Sequence, residues 1–280
     1  MVMLTSTRIE SAATSAIATR NLLHVIRRLG VLVAVAALLA TTAPARALTV
    51  PIGKFDYQLG GAYPPPSGVT FVVRDRHDAP AAGAYNACYV NGFQAQEDER
   101  SWWDANHPDL LLRDAHGNVV VEAGWNEALL DISTSAKRAA LLTIEGGWID
   151  QCATDGFKAV DPDNLDSYTR SHGLLTASHA IAFANLLIGR AHQDNLAIDQ
   201  KNTVELAGRM PFDFAVAEQC QKYKECGGYQ KVFGGNILEL EYTDKAFNAA
   251  CASTTRNWPV VRRDVNLVPK GKAKYVYRSC

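Results

Sequence analysis

The stretch Gly156 to Arg170, GFKAVDPDNLDSYTR, holds a strand, the end of that strand and three aspartates. Its apolar run closes at Val160, and Asp161, Asp163 and Asp166 follow in quick succession. Pro162 interrupts them; proline has no amide hydrogen to give to a sheet ladder and so tends to end a strand. Asp161 and Asp163 are two residues apart, which on an extended backbone puts both carboxylates on one face. Like charges held that close raise the pKa of one of them, a common way to make a general acid or a buried nucleophile. The same spacing of acids opens calcium loops, and a solvated acidic turn capping the next helix has the same look. The rest of the chain separates these readings.

On either side of this stretch, short apolar runs bounded by Gly, Pro and Asp recur, the pattern of strands. Eight are expected: Phe55–Leu59, Val69–Asp75, Ala87–Asn91, Leu129–Ile132, Phe157–Asp161, Ala197–Gln200, Phe212–Val216 and Asn236–Glu241. Several are apolar along most of their length, as parallel strands covered on both sides are. Helical patterns fall between the later ones. The clearest is Thr176 to Gln193, where Ile181, Ala184, Leu187 and Ala191 recur at helical spacing, with weaker patterns at Ser135–Ala153 and Asp244–Ser253. Strands alternating with helices predict an α/β fold, and eight strands predict a single (β/α)8 TIM-type barrel. Some helices must be shortened, because Gly60–Gly68 and Arg76–Tyr85 are brief and rich in Pro, Gly and Ala. The connection after the third strand is long, and LLLRDAHGNVVVEAG within it reads as a hairpin turning at His116-Gly117-Asn118. The tail Val260–Tyr277 also has strand character.

The first 47 residues have a different character. Arg20, Arg27 and Arg28 precede the run LGVLVAVAALLATT, and Ala45-Arg46-Ala47 has the small-x-small form of a signal peptidase site. Residues 1–47 are therefore expected to be a removed signal peptide, leaving an exported barrel domain over residues 48–280. An uncleaved membrane anchor is the weaker reading, because the apolar run is shorter than the roughly 20 residues that span a bilayer; nothing in residues 48–280 resembles a second membrane segment, so no stable membrane insertion is expected after cleavage. Removing Arg8, Arg20, Arg27, Arg28, Arg46 and Glu10 from 28 basic and 29 acidic residues leaves 23 and 28, a mildly acidic chain. No basic patch or arginine-rich arm points to nucleic acid. All six cysteines follow residue 47, and an even count in an exported chain reads as three disulfides. Cys220 with Cys226 and Cys251 with Cys280 are the favoured pairs, leaving Cys88 and Cys152; the spacings do not match a zinc site.

In such barrels the catalytic groups project from the C-terminal ends of the strands. Here those ends read Arg74-Asp75, Tyr89-Val90-Asn91, Asp131, Asp161-Pro162-Asp163-Asn164, Gln200-Lys201-Asn202, Glu218 and Glu239 to Tyr242. Carboxylates, amides and tyrosines, with no evident metal triad, suit glycoside hydrolysis. One carboxyl protonates the leaving oxygen while the other attacks the anomeric carbon or activates water, and no cofactor is needed. The chain has no Gly-x-Ser-x-Gly elbow, no His-Glu-x-x-His and no Gly-rich nucleotide loop.

The strings FDYQLGG (55–61), CYVN (88–91), DPDNLDSYTR (161–170), QKNT (200–203), FDFAVAEQC (212–220), the Glu-Cys pair ending at Cys226 and EYTD (241–244) together resemble glycoside hydrolase family 114, the endo-α-1,4-polygalactosaminidases. The resemblance runs in order along nearly all of residues 48–280. It implies a (β/α)8 barrel that cleaves galactosamine-containing polysaccharide within the chain, with the paired carboxylates falling on Asp163 and Glu218. Asp161, where relatives often have Glu, is the rival to Asp163. The expected groove wall is Tyr57, Arg74, Asp75, Tyr89, Asn91, Asp131, Asp161, Asn164, Lys201, Asn202 and Glu241. Trp102 and Trp103 are either stacking faces for sugar or a core plug. A secreted monomer whose partner is a galactosamine-rich polysaccharide is expected. The alternative is a binder that captures a cationic polymer without cleaving it.

Overall fold

The computed structural model describes residues 48–280; the expected leader, residues 1–47, lies outside the described residues. Eight parallel strands follow one another around a sheet: β1 (Phe55–Gln58), β2 (Phe71–Asp75), β3 (Tyr85–Val90), β7 (Ala159–Pro162), β8 (Ala197–Lys201), β9 (Phe214–Glu218), β10 (Ile237–Glu241) and β11 (Val260–Arg263). A short antiparallel strand, β12 (Tyr277–Ser279), pairs with β11. The sheet curls until β11 meets β1, where the Arg263 guanidinium donates to Asp56 at 2.7 Å and to the carbonyl of Tyr57. The architecture is the expected α/β barrel.

One expected strand is misplaced. Leu129–Ile132 is not a barrel strand; its first residue closes β6 (Glu127–Leu129), which lies between β4 (Gln94–Ala95) and β5 (Val121–Glu122) in a separate antiparallel sheet. The eighth barrel place goes to Val260–Arg263 in the tail. Leu129, Leu130 and Ile132 are buried because this sheet packs on the outside of the barrel, and burial alone produces the same apolar run in either setting. The hairpin read at His116–Asn118 forms, with Gly117 at φ 84° and Asp114 accepting the amide of Asn118.

The helices stand where the periodicity placed them, at Ser135–Asp155, Ala177–Gln193 and Asp244–Cys251. Thr134, Thr176 and Thr243 cap them, each side chain accepting an amide hydrogen of the first turn. No helix follows β1 or β2, and only a 3-10 turn, Val204–Leu206, lies between β8 and β9.

Side-chain alternation divides the barrel in two. Phe55, Phe71, Val73, Ala87, Ala159, Ala197, Phe214, Val216 and Leu238 fill the lumen, while Cys88, Val90, Val160, Ile198, Ala215 and Ala217 face the helices. Extending the inward series by twos brings Asp161, Asp163, Asp199, Lys201, Glu218 and Tyr242 to the upper lumen.

All three disulfides form: Cys88–Cys152, Cys220–Cys226 and Cys251–Cys280. The first spans 64 residues and ties β3 to the long helix beneath it. Chain-entropy arithmetic for a loop of that size gives about 4 kcal/mol. The paired substitution Cys88→Ala with Cys152→Ala is expected to lose roughly that stability in denaturant unfolding. Among the described residues, no helix is long and apolar enough to cross a membrane.

Candidate active site

The upper lumen is organised around one buried cation. Lys201, 2% exposed, stands 3.3 Å from Asp163 Oδ1 and 3.8 Å from Glu218 Oε2, and donates to the Tyr57 hydroxyl at 2.7 Å. Tyr57 in turn donates to Asp161 Oδ2. The Lys201 ammonium also lies 4.9 Å from the centre of the Tyr57 ring and 5.7 Å from that of Tyr89. Asp163 accepts from the Tyr89 hydroxyl at 3.0 Å and from the amide of Asn164 at 2.8 Å. Glu218 accepts from Asn202 Nδ2 at 3.1 Å and from the Tyr242 hydroxyl, so its oxygens are held from two neighbouring strand ends.

The backbone leaves each of these strands abruptly. Asn164, Asn202, Thr203 and Gln219 have φ of 65°, 52°, 62° and 58°, and non-glycine residues there cost of order 1 kcal/mol or more. Thr203 is branched at Cβ and the least suited to it. The Gln200 side chain holds that turn, donating to the carbonyls of Asn202 and Thr203 at 3.0 and 2.8 Å.

Depth separates the acids. Asp163 and Glu218 have side chains 21% exposed, whereas Asp161 and Asp199 are wholly buried. Burial pushes the Asp161 carboxyl up to about 6, with Lys201 pulling the other way. Burial and the neighbouring Asp161 push Asp199 well above the carboxylate range. Burial opposes the charge on Lys201, yet the surrounding Asp161, Asp163 and Glu218 outweigh it and raise its pKa.

Above these groups opens a cleft of about 770 Å³. Glu122, Glu127, Asp166, Glu205 and Glu225 line it beside Asp163 and Glu218, against Arg170 and Lys201 as the basic lining residues among the described ones. Arg170 is paired with Asp166 at 2.7 Å. Burial raises Glu127 to about 7. Trp125 and Tyr223, 58% and 56% exposed, add aromatic faces to the rim.

The family model for glycoside-hydrolase family GH114 matches residues 37–280. The chain belongs to glycoside hydrolase family 114. It is a glycoside hydrolase by that membership. Among solved structures, Ega3 of Aspergillus fumigatus, in complex with galactosamine, is 24% identical with a TM-score of 0.65, covering 81% of this chain and 94% of its own. The glycoside hydrolase domain of PelA from Pseudomonas aeruginosa, seen in a variant form, is 17% identical with a TM-score of 0.58, covering 80% of this chain and all of its own. At those identities the likeness shows the fold. No curated protein is similar enough in sequence to count as a match.

In this GH114 barrel the cleft gathers Asp163, Glu218, Tyr89, Asn164, Lys201 and Asn202 from the expected set. Tyr57 and Asp161 lie one layer below and touch it through Lys201. The others stand outside the cleft. Arg74 and Glu241 have outward parity: Arg74 donates to Gln58 at 3.0 Å and to the carbonyl of Tyr63, and Glu241 accepts the amide of Gln221. Asn91 buttresses Asn164 from behind, and Asp75 turns to the amide of His77. Asp131 belongs to the antiparallel insertion, where it accepts the amide of Ser133 and pairs with Lys137 at 3.6 Å.

Trp103 is fully buried, packed edge-on to Trp148, and Trp102 stacks in the same cluster; neither lines the cleft. Among the described residues, the metal-ligand grouping is Cys220, Cys226 and Glu239, and the disulfide ties up both sulfurs. Sequence reasoning passed over Asp199 and Glu127, and named Tyr242 at a strand end without placing it in the groove wall. Asp199 was within reach, because it precedes Lys201 by two, the same spacing that joined Asp161 to Asp163. Glu127 carried no signal, since nothing local tells that a hairpin folds over the mouth of a barrel.

Proposed function

We propose that this protein is a secreted endo-acting hydrolase of α-1,4-linked galactosamine-containing polysaccharide. The observation that carries the reading is the pair Asp163 and Glu218, both reachable from the cleft and both held against Lys201. Glu218 serves as general acid and base, and Asp163 as nucleophile or charge stabiliser at the anomeric centre. Asp161, with no exposed surface, is too deep to touch a sugar and serves Tyr57 and Lys201 instead. The acidic cleft lining favours a polymer bearing ammonium groups, and an open cleft accommodates chain on both sides of the scissile bond. Family membership and the galactosamine in the Ega3 complex support the same substrate class. Export is supported by the three disulfides. A monomer is proposed with it.

Incubation of the protein with α-1,4-galactosamine polymer in EDTA, followed by sizing of the products, tests this. Internal oligomers are the expected product, with no added cofactor, because two carboxyl groups suffice. Retention of intact polymer on the protein without shortening would leave the binding alternative. Loss of activity with the chelator would point to a metal-dependent reaction instead.

A further inference from the structure

The paired carboxylates and Lys201 rest on a second acidic pair that the chemistry above does not use. β7 and β8 run in parallel with Ala159 opposite Ala197 and Val160 opposite Ile198, so Asp161 and Asp199 come next, on the luminal face. Both are wholly buried. Neither oxygen of Asp199, nor Oδ1 of Asp161, has a hydrogen-bond partner among the described residues. That register sets the two carboxyl groups side by side on neighbouring strands. Two adjacent carboxylates in a dry interior do not both ionise; they share a proton, and an acid O–H donating to a carboxylate satisfies an orphan atom on each side.

We propose that Asp199 is a positioning residue that keeps its proton and donates it to Asp161, so that one negative charge stands behind Tyr57 and Lys201. The proton belongs on Asp199 because Asp161 has what an anion needs: it already accepts from Tyr57 and sits near the Lys201 charge. The groups facing Asp199 are Asp161 from β7, Asp163 just beyond the end of β7, and Lys201 from its own strand. Around Lys201, Tyr57 comes from β1, Tyr89 from β3 and Glu218 from β9. Tyr57 has one hydroxyl proton, and it donates that proton in its hydrogen bond to the ionised Asp161. The free lone pair of the phenol then faces Lys201 and fixes the ammonium between Asp163 and Glu218. The effect on turnover rests on the hydrolase reading; the protonation of Asp199 does not.

Unfolding measures the proton directly. An aspartate that keeps its proton when folded gives it up when unfolded, where its pKa is near 4. Its contribution to stability is complete below that pH and is lost as pH rises. Between pH 5 and 8, the unfolding constant of the wild type should therefore grow about tenfold per pH unit relative to that of Asp199→Asn. A flat ratio would overturn the proposal. The infrared carbonyl stretch of a protonated carboxylic acid at pH 7, stronger in the wild type than in Asp199→Asn because Glu127 contributes to both, is a second measurement; equal bands in the two proteins have the same force.

On galactosamine polymer, Asp199→Leu removes the donor and is expected to lower kcat about tenfold with KM within twofold. Asp199→Asn, whose amide still donates to Asp161, restores kcat to within about threefold, whereas damage equal to that of Leu would mean that an ionised Asp199 is required. A wild type that cleaves no such polymer would sink the functional reading and leave the unfolding ratio to decide the proton.

Discussion

Glu218→Gln and Asp163→Asn are each expected to lower turnover on galactosamine polymer by at least about a hundredfold, the scale for losing a catalytic acid or base. Both changes are nearly isosteric. Asp163 keeps Tyr89 and the Asn164 amide as neighbours, and Glu218 keeps Asn202 and Tyr242, so the fold has no reason to give way. Product sizing together with thermal unfolding of the same preparations separates lost chemistry from lost structure. Asp161→Asn is the control: it removes a charge from the buried layer, one step from the sugar. A larger loss from Asp161→Asn than from Asp163→Asn would reverse the assignment within the pair.

Lys201→Met should be the most damaging single change to stability in the lumen. The methionine fills much the same volume but leaves Asp161, Asp163 and Glu218 facing one another without a cation. Removing one partner from a buried ionic network costs about 3–5 kcal/mol, because the remaining charges stay desolvated. The sign of the pH dependence follows. Without the ammonium the folded-state pKa of Asp161, already raised by burial to about 6, loses the cation that pulls it down and rises further above its unfolded value, so its contribution is retained at low pH and lost as pH increases. The deficit relative to wild type is thus smaller at pH 5 than at pH 8 in denaturant unfolding. A deficit that shrinks with rising pH would mean that Lys201 is not the counter-ion of these groups.

Much of this protein was legible without its structure wherever the information is local. The strand before Pro162, the helix after Thr176 and the turn at Gly117 each follow from a few neighbouring residues, since backbone periodicity and capping act over one or two turns. The alternation of two that put Asp161 and Asp163 on one face is a property of extended backbone, true before anything packs. The pair Cys220–Cys226 followed from its short separation, Cys251–Cys280 from the tying down of the C-terminus, and the third from what remained. The matching strings along the chain pointed to the family that the family model, matching residues 37–280, then showed.

Depth and neighbourhood were decided only by the closed barrel. Asp161 and Asp163 are alike in sequence, yet one has no exposed surface and the other reaches the cleft, because curling the sheet buries one layer beneath the next. Tyr57 and Lys201 are 144 residues apart and touch only because β1 and β8 face across the lumen. Arg74 and Glu241 sit at strand ends as the sequence showed, but strand parity turned them outward, and parity relative to the lumen is set by register between strands. Leu129–Ile132 has the hydrophobicity of a barrel strand and was drawn into the outer sheet by its antiparallel partner Gln94, a pairing that no property of the run itself encodes. Local pattern determines what each segment is able to be; closure of the sheet determines which side chains meet, and the chemistry of this site is made of such meetings.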